Sequence, residues 1–368
     1  MDQSLLPQSA PASPRLQSAA LAARWLLGLV LAFWLVFGMA WGLLHGWIVP
    51  RISEFRPRLE TLASQAVGVP VRIGGIAARS GGLIPSFELS DVVLLDGQGR
   101  EALRLPRLVA AVSPSSLWSL GFEQLYIDRP ELDIRRTSDG KIHVAGLDVS
   151  QVRSDGQNAF ADWFFSQTEL VIRGGALRWT DDLRQMPPLA LTGVDLTLRN
   201  PGRRHLIRLD ATPPASWGER FSLRGVFREP LWSGGAGQWK SWAGQLYAEF
   251  ARVDLLEVQR YASLESLGIR LAAGNGALRA WVDVKGGEIT GGTADVALHE
   301  VNAQLGKALQ PLVLQAVSGR LAGRHFVNGF DVVTEDLQFR TRDGLQWPGG
   351  NASVVYVGAE GKSPARLR

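Results

Sequence analysis

Five histidines, His45, His143, His205, His299 and His325, supply every imidazole in the chain, and each stands alone. A histidine-based zinc site needs a second histidine three to five residues away or a carboxylate pattern beside it, and neither is present. Ser138-Asp139-Gly140-Lys141 has the spacing of a Ser-x-x-Lys nucleophile pair, which works from the start of a helix. Here the Asp-Gly step reads as a hairpin turn instead. Asp181-Asp182 and Glu335-Asp336 imitate the paired carboxylates of a glycosidase, but neighbours on a strand point to opposite faces. Gly235-Ala236-Gly237 and Gly274-Asn275-Gly276 lack the third glycine and the strand-to-helix setting of a dinucleotide loop. With no cysteine, the chain has no disulfide framework, thiolate metal site or cysteine nucleophile. The residues therefore point to a protein that is not an enzyme and holds neither metal nor cofactor.

Charge excludes another class. The net charge is +4 over 368 residues, too weak a field for nucleic-acid binding. Only five of the 39 basic residues are lysines, so the high pI reflects arginine usage.

The elements that would position any site divide sharply. Residues 1–24, rich in Ser, Pro, Ala and Gln, read as a disordered cytoplasmic tail. Leu26 to Val49 is an apolar run of 24 residues, about 36 Å as helix, so residues 25–49 are expected to span a bilayer. A cleaved signal peptide has a shorter apolar region of about 7–15 residues ending at small side chains. Here the run continues into Gly46-Trp47-Ile48-Val49-Pro50-Arg51, as an uncleaved anchor would, with Trp25 and Trp47 near its ends. Arg15 and Arg24 before the span, against Arg51, Arg56 and Arg58 after it, do not decide orientation. The bulk of the chain lies on the C-terminal side. Residues 52–67 read as an amphipathic helix capped by Ser53, with Phe55, Leu59, Leu62, Ala63 and Ala66 on one face. That face suits either the membrane or the first sheet.

From Pro70 onward the period is two. Phe87 and Leu89, Leu132 and Ile134, Ile142 and Val144, Leu196 and Leu198, Phe221 and Leu223, Val282 and Val284, and Val296 and Leu298 alternate with polar positions. Such strands have one apolar and one wet face, as antiparallel sheets do. Asp96-Gly97-Gln98-Gly99, Asp139-Gly140, Gly286-Gly287 and Asp343-Gly344 supply hairpin turns. Two short helices are expected, one over Ala159, Phe160, Trp163 and Phe164, the other capped by Asp254 and running to Tyr261. Gly175-Ala176-Leu177-Arg178 recurs as Gly276-Ala277-Leu278-Arg279, an echo without a solenoid's fixed period. Periodicity alone leaves two architectures open: a sheet closed on itself as a sandwich or barrel, or an open trough whose apolar surface needs a ligand.

The run Gly68-Val-Pro-Val-Arg-Ile-Gly74, followed by Gly82-Leu-Ile-Pro-Ser-Phe-Glu-Leu-Ser-Asp91 and Asp96-Gly-Gln-Gly-Arg100, resembles the N-terminal signature of the AsmA-like envelope proteins, in their YhdP branch. Ile127-Asp-Arg-Pro-Glu-Leu-Asp-Ile-Arg-Arg136, Leu177-Arg-Trp179 and Val194-Asp-Leu196 continue it, so that residues 20–350 are covered. These motifs are strand and turn grammar, not active-site residues. The resemblance implies a mainly β protein: a transmembrane helix, then an elongated, curved antiparallel sheet forming an open periplasmic groove over residues 68–368. It further implies an anchor in the inner membrane, an architecture akin to chorein-type bridge proteins, and phospholipid transport between inner and outer membranes. Members of this branch are longer, and Val357 to Arg368 does not read as a completed C-terminus, so a fragment is expected. The fourteen alternating residues above become the candidate floor for phospholipid acyl chains, and Val284→Asp should block passage where a change at Lys285 is silent. The other reading is an assembly factor with a closed core that recruits envelope proteins by strand addition.

Overall fold

The computed structural model describes residues 14–43, 46, 49–67, 69–79, 86–96, 98–111, 122–148, 159–231, 237–261, 270–304, 310–326, 329–357 and 366–367. Trp47, Gly97 and the Gly235-Ala236 step lie outside them. The chain forms two compact units, Met1–Glu54 and Phe55–Arg368.

The first unit holds α1 (Pro14–Leu43). Its segment Ala23–Leu43 has 21 residues, about 32 Å of helix, enough for a hydrocarbon core of about 30 Å. Large apolar side chains project on every side, among them Trp25, Phe33 and Met39, and none of the segment is covered by protein. This fits a single-pass membrane anchor. The helix begins at Pro14, so residues 14–24 are helical where composition suggested a disordered tail.

The second unit opens with α2 (Arg56–Val67), which has Pro57 in its first turn, where the missing N–H costs no hydrogen bond. Ser53 does not start this helix, because residues Val49–Phe55 form a 3-10 turn ahead of it. Leu59 and Ala63 pack onto a core cluster, while Leu62 is 49% exposed and leaves the expected apolar face.

Nineteen strands follow in one sheet that is curved and does not close. In chain order they are β1 (Val71–Arg79), β2 (Ser86–Leu95), β3 (Glu101–Ala111), β4 (Gln124–Asp128), β5 (Glu131–Arg136), β6 (Ile142–Val144), β7 (Leu147–Asp148), β8 (Glu169–Asp181), β9 (Met186–Arg199) and β10 (Arg204–Thr212). Then come β11 (Phe221–Arg228), β12 (Ala243–Asp254), β13 (Arg270–Lys285), β14 (Glu288–Gln304), β15 (Leu312–Phe326), β16 (Gly329–Thr341), β17 (Gln346–Trp347), β18 (Ala352–Val357) and β19 (Arg366–Leu367). Nearly every pairing is antiparallel. The exception is β8, against which β4 and β5 lie end to end in parallel. A parallel return needs a crossover, and this one carries α3 (Ala159–Ser166). Between β12 and β13, α4 (Leu255–Tyr261) is capped as expected, with Asp254 Oδ1 accepting the Leu256 N–H at 2.9 Å. The β13–β14 hairpin turns on Gly286 (φ 64°) and Gly287 (φ 77°), two positive angles that only glycine accepts freely.

Because several strands share a partner, the ladder is shorter than its strand count suggests. The succession β1, β2, β3, β4, then β8 through β16 and β18 makes thirteen steps of about 4.8 Å, or about 60 Å, and the two-residue β19 adds one more. Counting every strand as a step would give about 80–95 Å.

A line of irregularities crosses the ladder. Asp91 in β2 (φ 50°), Arg129 after β4 (φ 46°), Gly174 in β8 (φ 60°), Gly193 in β9 (φ 53°), Glu300 in β14 (φ 51°) and Asp336 in β16 (φ 49°) lie where residues are skipped between paired strands. The register shifts at Gly174, Gly193 and Asp336 are bulges, which bend a strand and increase its twist, whereas at Asp91 the register is the same on both sides of the break. Opposite Asp91, β1 has Gly74, where a Cβ would come within 2.7 Å of the Asp91 Cβ.

The β1 edge is not left bare. On the side away from β2, the Val71 N–H donates to Ser64 Oγ at 2.8 Å and the Ile73 N–H to Glu60 Oε1 at 2.8 Å. The Gly74 carbonyl accepts from Arg56 Nη1 at 3.1 Å. Helix α2 thus stands in for a further strand, one of the ways proteins protect a sheet edge. Replacing Glu60 and Ser64 together by alanine should lower the unfolding free energy by about 2 kcal/mol, since two backbone donors lose their partners. It should also cause self-association, visible by analytical ultracentrifugation, with exposed Arg58→Ala as the control. Unchanged stability and mass in the double variant would show that the edge does not need its helix.

Candidate functional site

Residues directly opposed on neighbouring strands project to the same side of a sheet, so the register assigns every side chain a face. Starting at Phe87, the opposed residues are Ala110, Leu125, Leu170, Leu198 and Ile207. The same row continues through Gly225, Leu246, Val282, Gly292, Gly323, Val332 and Val354. No charged or hydrogen-bonding side chain interrupts it from β2 to β18. A second row, through Leu89, Leu108, Ile127, Ile172 and Leu196, passes over Ala248, Ala280 and Ala294 to Leu321, with Thr334 as its one polar member.

Both rows lie on one face, and the other residues singled out from the sequence join them there. Leu132 and Ile134 oppose Leu177 and Trp179, and Val144 opposes Ile134 with Ile142 two residues before it. Leu223 falls in the second row beside Leu209. Phe221 leads through Phe250 and Leu278 to Val296, Val284 opposes Gly244, and Leu298 opposes Gly276. Sequence reasoning missed Leu246, Leu321, Phe330, Val332 and Val354 on this same face. The signal for Leu246, Leu321, Val332 and Val354 is cross-strand, since each lies opposite an apolar or glycine residue, while Phe330 lies between His325 and Tyr356.

The face is not uniformly accessible. From β1 to β10 it is covered: Leu59 and Ala63 of α2 and Trp163, Phe164 and Phe165 of α3 pack over a cluster that includes Ile73, Leu125, Leu170 and Leu198. Leu198 is only 1% exposed, and Phe87 is also buried. From β11 onward, Phe221, Leu223, Val282, Val284 and Val296 are half-buried, while Phe330, Val332 and Val354 are exposed. A smaller cluster around Leu298, Val301, Ala303 and Leu314, packed by Leu255 of α4, closes the strand ends on one side of this stretch.

The opposite face is charged. One row reads Glu249, Arg279, Asp295, Arg320, Glu335, alternating in sign at each strand. Arg279 meets Glu249 at 3.1 Å and Arg320 meets Asp295 at 2.6 Å. Each pair on a wet surface contributes only about 0–1 kcal/mol. Their larger effect is on register, because a slip of one residue would carry the whole set onto the apolar face. Hydrogen bonding from Arg320 holds the Asp295 carboxyl below the usual carboxylate range.

No side-chain constellation for acid–base or nucleophilic chemistry assembles among the described residues. His205, the one fully buried histidine among the described residues, has Nδ1 2.7 Å from Asn200 Oδ1 and Nε2 2.8 Å from Glu229 Oε1. Burial pushes its pKa down, and Glu229 pulls it part of the way back. Its ring stacks on Trp242 at 3.7 Å, so it acts as a packing element. No group of three or more histidine or carboxylate side chains able to hold a metal occurs among the described residues.

The family model described as YhdP protein matches residues 16–368. The chain belongs to the YhdP family. No curated protein and no solved structure matches it.

The division of this YhdP-family sheet into covered and open stretches is measurable in stability. Leu198→Ala, in the covered stretch, should cost about 2–5 kcal/mol, whereas Val332→Ala, 38% exposed, should cost less than about 1 kcal/mol. Urea unfolding of both variants tests this, and equal costs would mean that the open stretch is packed as well. The charged ladder should respond to acid. A carboxyl whose folded pKa is depressed stabilises the fold above its ordinary value of 3.8, and that contribution is lost as pH falls through the folded value. Urea midpoints taken from pH 5 down to pH 2 should therefore fall less steeply in Arg320→Ala than in the wild type.

Proposed function

We propose that this is an inner-membrane protein, held by a single span, whose sheet lies in the periplasm and offers its apolar face to the acyl chains of phospholipids in passage between inner and outer membranes. The observation that carries the reading is the uncharged row that runs across the strands from Phe87 to Val354. A chain of methylene groups needs a long, narrow surface without charge, and such a surface on a monomer otherwise calls for a partner. Headgroups would remain in water along the open side. Membership of the YhdP family and the apolar helix α1 support the same reading.

The mechanism is passive. Each acyl chain exchanges hydrocarbon for side-chain methyl and methylene groups, at about 25 cal/mol per Å² on either side, so movement along the row involves little net change in free energy. No residue acts as acid, base or nucleophile. The assembly-factor reading asked for a closed core, and the sheet is open. The sheet edge at β1 is occupied by α2 and offers no site for strand addition.

Mass spectrometry of lipids extracted from purified residues 55–368 tests the proposal. Phospholipid should copurify with the wild type and with Lys285→Asp, on the charged face, and fall several-fold in Val282→Asp, in the middle of the open row. A wild type free of lipid, or equal lipid in both variants, would sink the proposal.

A further inference from the structure

The charged face carries one row of a different kind. The register lines up Tyr247, Trp281, Thr293, Ala322, Val333 and Ser353, one from each of six neighbouring strands, and none of them is charged. At about 4.8 Å per strand the row runs about 24 Å. Tyr247 and Trp281 meet with ring centroids 5.2 Å apart and planes tilted by 47°. Arg224, next in the register, holds its guanidinium 5.9 Å from the Tyr247 ring and ends the row there. Tyr247, Trp281, Thr293 and Ala322 are half-buried and Val333 is exposed, so the row forms a floor open to solvent.

Both borders of this floor consist of flat hydrogen-bonding groups. On one, Gln245 Nε2 donates to Asp283 Oδ1 at 3.0 Å and Arg324 Nη2 to Asp331 Oδ2 at 2.7 Å. On the other stands the row of alternating sign from Glu249 to Glu335. A carboxylate accepts about four hydrogen bonds and a guanidinium donates five, so these pairs keep capacity for a ligand after bonding each other. Their signs alternate, which leaves little net field for an ion. Beside Trp281, a hollow of about 450 Å³ lined by Asp283, Thr290, Gly291, Arg324 and Asp331 gives room for groups that project from the floor.

An apolar floor between two polar banks selects its occupant. A hydrocarbon chain matches the floor but leaves the banks unused. A pyranose ring matches both, because its faces carry C–H groups that pack on aromatic rings while hydroxyls radiate from its perimeter. Each linked ring also advances a glycan by roughly one strand spacing, about 4.8 Å, so successive rings fall over successive strands. We infer that this lane binds an uncharged oligosaccharide of about four to six linked pyranose rings, seated on Trp281 and Tyr247 with its hydroxyls bonded to the two bordering rows. Neighbouring residues of a strand project to opposite faces, so Trp281 and Val282 serve different sides of the sheet, and the inference stands apart from the lipid reading.

The full chain in lipid nanodiscs, titrated calorimetrically with β-1,4-linked hexamers of glucose and of N-acetylglucosamine, provides the test. At least one hexamer should bind, and its affinity should change less than about twofold between about 50 and about 500 mM salt, since the ligand has no charge to screen. Trp281→Ala should weaken binding at least about tenfold, whereas Trp281→Phe, which keeps a ring, should stay within about threefold of the wild type. Ala322→Glu places a carboxylate on the solvated floor without removing a packed side chain, and should abolish binding in a chain that keeps its protease resistance. Failure of both hexamers to bind, or unchanged affinity in Ala322→Glu, would overturn the site. Displacement of the hexamer by dodecanoate would assign the lane to hydrocarbon and overturn the sugar reading.

Discussion

Everything in this sheet depends on keeping apolar side chains on one face over thirteen successive strand pairings. Period-two alternation does this within a strand, but strands of thirteen to seventeen residues cannot stay regular through a curved sheet. Breaks in the ladder resolve the conflict. In β2, Phe87 and Leu89 occupy odd positions and Val92 and Leu94 even ones, yet all four pack with the same cluster or lie on its face. Asp91, with its positive φ, absorbs the change of phase. Glu300 does the same in β14, between Val296 and Leu298 on one side and Val301 and Ala303 on the other. Curvature and phase are thus one problem with one solution, a positive-φ break in the ladder at which the alternation resets.

The two faces constrain each other. Hydrophobic burial alone would tolerate several registers between neighbouring strands, because Val, Leu, Ala and Gly are nearly interchangeable along a row. The charged row on the far face is less tolerant, since Arg279 and Arg320 each stand between carboxylates supplied by adjacent strands. Weak pairs, summed over a ladder, select the register that the apolar side then exploits. The helices follow from topology: α3 lies on the crossover forced by the parallel return to β8, and α2 reaches the sheet immediately before β1.

Much of this is legible in the residues. The anchor, the turns at Asp139-Gly140 and Gly286-Gly287, the Asp254 cap and the helix through Trp163 all follow from local chemistry, and the fourteen alternating apolar residues share one face. What local chemistry does not contain is the partner of each strand. Nothing in Gln124 to Arg136 announces that β4 and β5 will lie end to end against β8, so the ladder is shorter than the number of strands suggests. Cover is equally non-local. Leu198 and Leu223 read alike in the sequence, yet Leu198 lies in the core cluster packed by α3 and Leu223 is only half-buried.

The hydrogen bonds from α2 to β1 give the sheet a polarity that its strands lack. A ribbon of antiparallel strands has no inherent head or tail, because each strand reverses the last. Once Glu60, Ser64 and Arg56 have consumed the groups along the β1 border, further β-structure is not added there. The sheet becomes a one-way ruler, with its zero mark at β1 and its graduations counted strand by strand toward β18.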